Sequence, residues 1–224
     1  MKLSIILPVL NEAEQLPHAL ECLGPVRERG VEVIIVDGGS EDGTLATAAR
    51  AGARLVNSPR GRARQMNAGA QIASGHVLLF LHVDTVLPEH AERLIEAAVC
   101  GGRRVWGRFD VDIQGRPRIL KVIAALMNWR SRLTGIATGD QAIFVARSVF
   151  ESLGGFPDQP LMEDVELCKR LRALSLPACV RARAVTSGRR WESRGAWRTI
   201  VLMWQLRWAY WRGVPASVLV DLYK

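Results

Sequence analysis

Apolar residues come along the first third of the chain in short runs, each closed by a polar or glycine-rich cluster. Residues 3–9, 31–36, 54–56 and 77–82 are β-branched or leucine-rich and of strand length. Helical stretches lie between them. One opens at Asn11 with Glu14 three residues on as a capping box, one is capped by Ser40 and runs through Thr44 to Ala51, and a basic, alanine-rich one spans residues 60–73. Strand and helix alternating about every dozen residues predict a parallel, doubly wound sheet with right-handed crossovers.

Beyond Pro88 the pattern loosens. Residues 89–99 read as an amphipathic helix, 105–113 alternate like an exposed or edge strand, and 118–133 read as a helix after the turn Gln114-Gly115-Arg116-Pro117. Gly139-Asp140-Gln141 precedes a strand at 142–145, and a helix beginning near Arg147 is broken by Gly154-Gly155-Phe156-Pro157. A further helix at 163–174 carries Glu163 and Asp164 at its start, where carboxylates gain from the positive end of the dipole. No long period recurs, which excludes a repeat protein.

The last quarter differs in character. Arg181, Arg183, Arg189, Arg190, Arg194 and Arg198 crowd together ahead of a helix at 196–212. On a helical wheel Trp197, Trp204, Trp208 and Trp211 fall within about 60° of one another. Two readings are open: the stripe packs on the sheet, or the helix lies in a membrane interface with arginines toward head groups. Arg198, Arg207 and Arg212 exclude a membrane-spanning helix.

Composition narrows the class. The 224 residues, 49% of them hydrophobic, suffice for a sizeable core and exclude a disordered chain. Thirty Lys plus Arg against 22 Asp plus Glu leave a charge of +8, which suits anionic ligands. Cys22, Cys100, Cys168 and Cys179 show no C-x-x-C spacing and read as reduced thiols. The amino terminus has too short an apolar stretch for a signal peptide, so the expected location is cytoplasmic.

Chemistry collects at the strand ends. Pro8 to Glu12, Asp37 to Ser40, and His82-Val83-Asp84 all fall at the carboxyl edge of one sheet, where open α/β sheets bind ligands. His82 and Asp84, two apart at the end of a strand, are spaced to share a divalent cation and a phosphate-bearing ligand. A carboxylate at Asp37 can accept hydrogen bonds from a base or ribose, and the glycines after it let a ring approach the backbone. Neither G-x-G-x-x-G after the first strand nor a P-loop is present, so dinucleotide and P-loop readings lose their support.

Taken in order, Ser4 to Glu12, Val36-Asp37-Gly38-Gly39-Ser40-Glu41-Asp42-Gly43-Thr44, Asn67-Ala68-Gly69, Leu79 to Asp84, and Glu163-Asp164 resemble the inverting family 2 glycosyltransferases over roughly residues 3–174. The resemblance implies a GT-A-like (Rossmann-like), mostly parallel central sheet flanked by helices over residues 1–185, followed by a helical, basic, Trp-rich extension at 186–224. It also implies roles. Pro8, Asn11, Glu12, Asp37 and Arg64 fall on the nucleotide, Asp84 on a divalent cation (Mn²⁺ or Mg²⁺), and Asp164 on the catalytic base, whose pKa the neighbouring Glu163 would raise. Arg189 and Arg190 fall on the diphosphate, where a solvated arginine run is the plainer alternative, and Asp140 and Gln141 on the sugar and acceptor pocket.

Two departures stand out. His82 replaces the first Asp of the family's D-x-D, leaving open whether imidazole joins the cation, whether Asp84, diphosphate and water suffice, or whether the site is weak. Gly38 replaces the second Asp of D-D-G-S and removes a ribose contact. The implied partners are a nucleoside diphosphate sugar, UDP being the default, and an acceptor of small or lipid-linked kind, with peripheral contact at the inner membrane face and no nucleic acid. The rivals are a sugar-phosphate nucleotidyltransferase, which lacks its Gly-rich loop here, and a basic nucleotide- or membrane-surface-binding module without transferase activity.

Overall fold

The computed structural model describes residues 1–99 and 101–223, with Arg190, Ser193 and Arg194 as backbone only. Strands β1 (Leu3–Val9), β2 (Glu32–Asp37), β3 (Arg54–Asn57) and β4 (Val77–Phe80) alternate with helices α1 (Leu16–Glu28), α2 (Thr44–Arg50) and α3 (Arg62–Ile72). They pair in parallel in the order β3-β2-β1-β4. Each run is apolar on both faces because both faces are covered. Ile5, Ile35 and Leu79 pack under α1 on one side, and Ile6, Ile34 and Leu78 pack under α3 on the other.

The second half adds β5 (Thr85–Val86), α4 (Ala91–Val99), β6 (Trp106–Gln114), α5 (Ile119–Thr134), a 3-10 turn (Gly139–Gln141), β7 (Phe144–Ala146), α6 (Arg147–Ser152), α7 (Glu163–Leu174) and β8 (Ala178–Ser187). Helices α8 (Arg189–Arg194), α9 (Ala196–Trp211) and α10 (Ala216–Tyr223) end the chain. Here the sheet turns mixed: β7 runs antiparallel to both β4 and β6, β6 pairs in parallel with β8, and β5 lies antiparallel at the edge.

Several local expectations need correction. Residues 105–113 alternate, yet β6 is central and buried, because its polar positions face α5 instead of water. Arg108 is fully buried and bonds Asp110, which also takes Arg132 Nη2 at 2.6 Å, while Asn128 Oδ1 accepts from Val111 N at 2.8 Å. Strand β8 was not expected at all, since arginines at 181 and 183 mask its alternation. The capping box at Asn11 and Glu14 does not form: α1 begins five residues later, and Asn11 adopts a left-handed φ of 53°. Ser40 does not cap α2 either, which starts after Gly43. Strand β4 stops at Phe80, so His82 stands in a turn closed by Thr85 N bonding His82 O at 3.1 Å.

The tryptophans do not pack on the sheet. Trp197, Trp204, Trp208 and Trp211 are 60–77% exposed. Helices α9 and α10 instead dock through Leu206 and Leu219 against Met162, at the start of α7. Tyr210 Oη bonds Glu166 Oε2 at 3.3 Å and Lys169 Nζ sits 4.7 Å from the Tyr210 ring centre. Among the described residues no helix is long and apolar enough to cross a membrane.

Candidate active site

The loops after β1 and β2 are knitted together before any ligand arrives. Asn11 N donates to Ser40 Oγ at 2.9 Å, Glu41 N to Asn11 Oδ1 at 2.8 Å, and Glu12 N to Thr44 Oγ1 at 2.8 Å. Asp37 is buried and spends its carboxylate on its own turn, accepting from Gly39 N, Ser40 N and Ser40 Oγ. Beneath them the buried Gln65 amide donates to Val9 O and Val36 O at 2.8 and 2.9 Å, tying the two strand ends. A Cβ on Gly38 would stand 2.9 Å from that amide, which explains why a second Asp has no room there.

Charges converge beside these loops. Glu12 feels Arg189, Asp84, Asp42 and His82. Burial raises its pKa above the ordinary carboxylate range, and Arg189 opposes the rise. Asp84 is held from behind, with Thr85 Oγ1 donating to Oδ1 at 3.3 Å and Ser187 N to its carbonyl at 3.2 Å. Among the described residues no group of three or more His, Cys, Asp or Glu gathers to cage a metal. Asp84 offers a carboxylate there, an oxygen ligand of the kind hard cations take. The His82 ring turns elsewhere. Its Nδ1 lies 3.2 Å from Asp140 Oδ1, and its Cε1 and Nε2 edge packs so closely on Gly139 that a Cβ there would come within 2.4 Å.

The Glu163–Asp164 pair lines a cleft with Arg62, His82 and Gly139 above Phe80 and Phe156. Asp164 Oδ2 accepts from Gly139 N at 3.0 Å and Oδ1 from Val165 N at 2.7 Å, so two backbone amides fix its plane. Glu163 is buried and takes Arg62 Nη1 at 3.3 Å. Burial and then the Asp164 charge push the Glu163 carboxyl up, with Arg62 opposing. The left-handed Met162, φ 65°, turns the chain into α7 and presents both side chains to the cleft.

Pro8, Asn11, Glu12, Asp37, Asp84, His82, Asp140, Glu163, Asp164 and Arg189 thus come to one edge of the sheet. Gln141 lies just beneath, fully buried, its Oε1 accepting from Thr138 N at 3.3 Å. Arg64 does not join them: its Nε bonds Asp158 at 2.8 Å on the outer surface. Arg62, one turn-face away, is the arginine that reaches the cleft, and the run Arg60-Gly61-Arg62-Ala63-Arg64 did not distinguish the two. The Arg190 side chain lies outside the described residues. Arg130 on α5 and Arg207 on α9 were also missed, and both stand in electrostatic reach of Asp164. Nothing in the sequence pairs them, since they lie on helices far apart in the chain.

The model of Glycosyl transferase family 2 matches residues 4–150. An uncharacterized glycosyltransferase of Mycobacterium tuberculosis is 31% identical over 137 residues, covering 58% of this chain and 59% of that protein. A PGL/p-HBAD biosynthesis glycosyltransferase of the same species is 39% identical over 93 residues, 38% of this chain and 36% of that protein. The chain thus spans less than two thirds of these relatives' length. Among solved structures, glucosyl-3-phosphoglycerate synthase from M. tuberculosis with Mg²⁺ and UDP superposes with a TM-score of 0.61 at 20% identity, over 83% of this chain and 70% of that one. A mannosyltransferase from Pyrobaculum calidifontis with GDP-Man and Mn²⁺ gives 0.59 at 23% identity, over 82% and 56%.

Proposed function

The chain belongs to glycosyl transferase family 2, and from that premise we propose that it moves a sugar from a nucleoside diphosphate donor to an acceptor hydroxyl, inverting the anomeric carbon. The observation that carries this reading is Asp164, held in plane by Gly139 N and Val165 N in a pocket lined also by His82, whose ring is in electrostatic reach of Glu12. Pro8, Asn11 and Glu12 bind the base and ribose on the turn that the buried Asp37 holds in shape, and Arg189 faces the diphosphate. UDP is the first nucleotide to test, since the superposable synthase carries UDP and the mannosyltransferase GDP-Man.

Asp164 takes the proton as the acceptor oxygen bonds the anomeric carbon and the bond to the diphosphate breaks, releasing nucleoside diphosphate. Glu163, buried beside Asp164 and paired to Arg62, holds the start of α7 against the pocket. Asp140, oriented by His82, hydrogen-bonds the sugar or acceptor. A divalent cation, Mn²⁺ or Mg²⁺, held by Asp84 would offset charge on the departing diphosphate. The exposed tryptophans of α9 support peripheral contact of this cytoplasmic enzyme with the inner membrane face and a lipid-linked acceptor.

The test is transfer itself. Wild-type protein incubated with nucleotide sugars and a panel of small and lipid acceptors should yield a glycosylated product of inverted configuration by NMR. Asp164→Asn should lower the rate by about 10²-fold or more while nucleotide still binds. Unchanged transfer by that variant would remove Asp164 as the base.

A further inference from the structure

Helices α5 and α9 lie side by side with an apolar groove of about 440 Å³ between them. Ile119, Ile123 and Leu126 form one wall, and Trp197, Val201 and Trp204 the other. That volume is within the range, roughly 300–1,000 Å³, that holds small organic ligands. One helical turn further along each wall stands an arginine: Arg130 four residues after Leu126, and Arg207 three after Trp204. The two guanidiniums are neighbours, and each feels the Asp164 carboxylate.

Arg130 Nε and Nη2 are buried and have no hydrogen-bond partner among the described residues. Burial, and after it the like charge of Arg207, bring Arg130 down to about 10, so it is still a cation at neutral pH. Buried donors of Arg130 without a partner, beside the second cation of Arg207, call for an anion to complete them. The wall leading to them is apolar, so the anion is the end of a chain and not a free ion. We propose that groove and arginines form one acceptor site, which takes a single-chain amphiphile with its phosphate or carboxylate head on Arg130 and Arg207 and a hydroxyl next to that head toward Asp164. This rests on the transferase reading, because Asp164 is the group that the acceptor must meet.

The full-length protein is titrated with dodecyl phosphate below its micelle concentration, by calorimetry and by tryptophan emission, which Trp197 and Trp204 report from the groove. Dodecanol and inorganic phosphate are the two control probes. Dodecyl phosphate should bind about tenfold tighter than either and shift the emission to the blue. Arg207→Gln should bring its affinity to that of dodecanol, and Trp204→Ser to that of inorganic phosphate. Arg130→Lys, which keeps the charge in place, should weaken it less than Arg207→Gln. Equal binding of inorganic phosphate or of dodecanol overturns the joined site, as does an Arg207→Gln variant that binds like wild type. UDP and GDP titrated on the same sample separate the two levels: nucleotide binding without dodecyl phosphate binding sinks the acceptor site alone, and loss of both sinks the transferase reading.

Discussion

Asn67 sits in the second turn of α3 and binds both backbone groups of Phe156, donating to its carbonyl at 2.8 Å and accepting from its N–H at 2.9 Å. That pair fixes the loop whose Phe156 ring packs edge-on against Phe80 below the cleft. Asn67→Ala should cost about 1–3 kcal/mol in chemical denaturation, because two backbone groups lose their partner. Gly38→Ala should also destabilise, by roughly 1–3 kcal/mol, since its Cβ forces the Gln65 amide off the ends of β1 and β2. Glu32 gives a pH signature. Burial alone would raise its pKa, but hydrogen bonds from Ser4, Ser74 and Arg54 outweigh it and bring it to about 2. A depressed carboxylate contributes stability that is present above its ordinary pKa and lost as the pH falls through the folded value. The stability gap between wild type and Glu32→Gln should therefore be full at pH 6 and shrink steadily toward pH 2, as read from urea midpoints.

Elements differ in how plainly the chain announces them. The runs of β1, β2 and β4 are apolar on both faces because helices cover both, and that made the parallel half of the sheet readable. Strand β6 is misleading since its polar positions, Arg108 and Asp110, are neutralised by each other and by α5. Strand β8 alternates small residues with arginines, so charge hides a period of two. The candidate site was legible to the same degree: carboxylates at strand and helix ends announced themselves, whereas the choice of Arg62 over Arg64, and the roles of Arg130 and Arg207, depend on how distant helices meet. On α9 the tryptophan face was readable and its exposure was not. Replacing Trp208 and Trp211 by Ser should leave stability within about 0.5 kcal/mol, as expected for exposed positions, while weakening association with anionic vesicles in a sedimentation assay. Unaltered vesicle binding would count against contact through this face.

At the scale of the whole molecule, the sheet brings its polar strand ends to one edge, and the carboxyl-terminal helices close over the start of α7 opposite them. The chain as a whole carries a net charge of +8, which suits the anionic donor proposed for it. The measurement that bears most directly on this account is calorimetric titration of UDP and GDP into the purified chain, with and without Mn²⁺, on wild type and on Asp84→Ala. One nucleotide should bind in a Mn²⁺-dependent way, and the Asp84→Ala variant should lose that dependence. Folded protein that binds neither nucleotide under either condition would contradict the account.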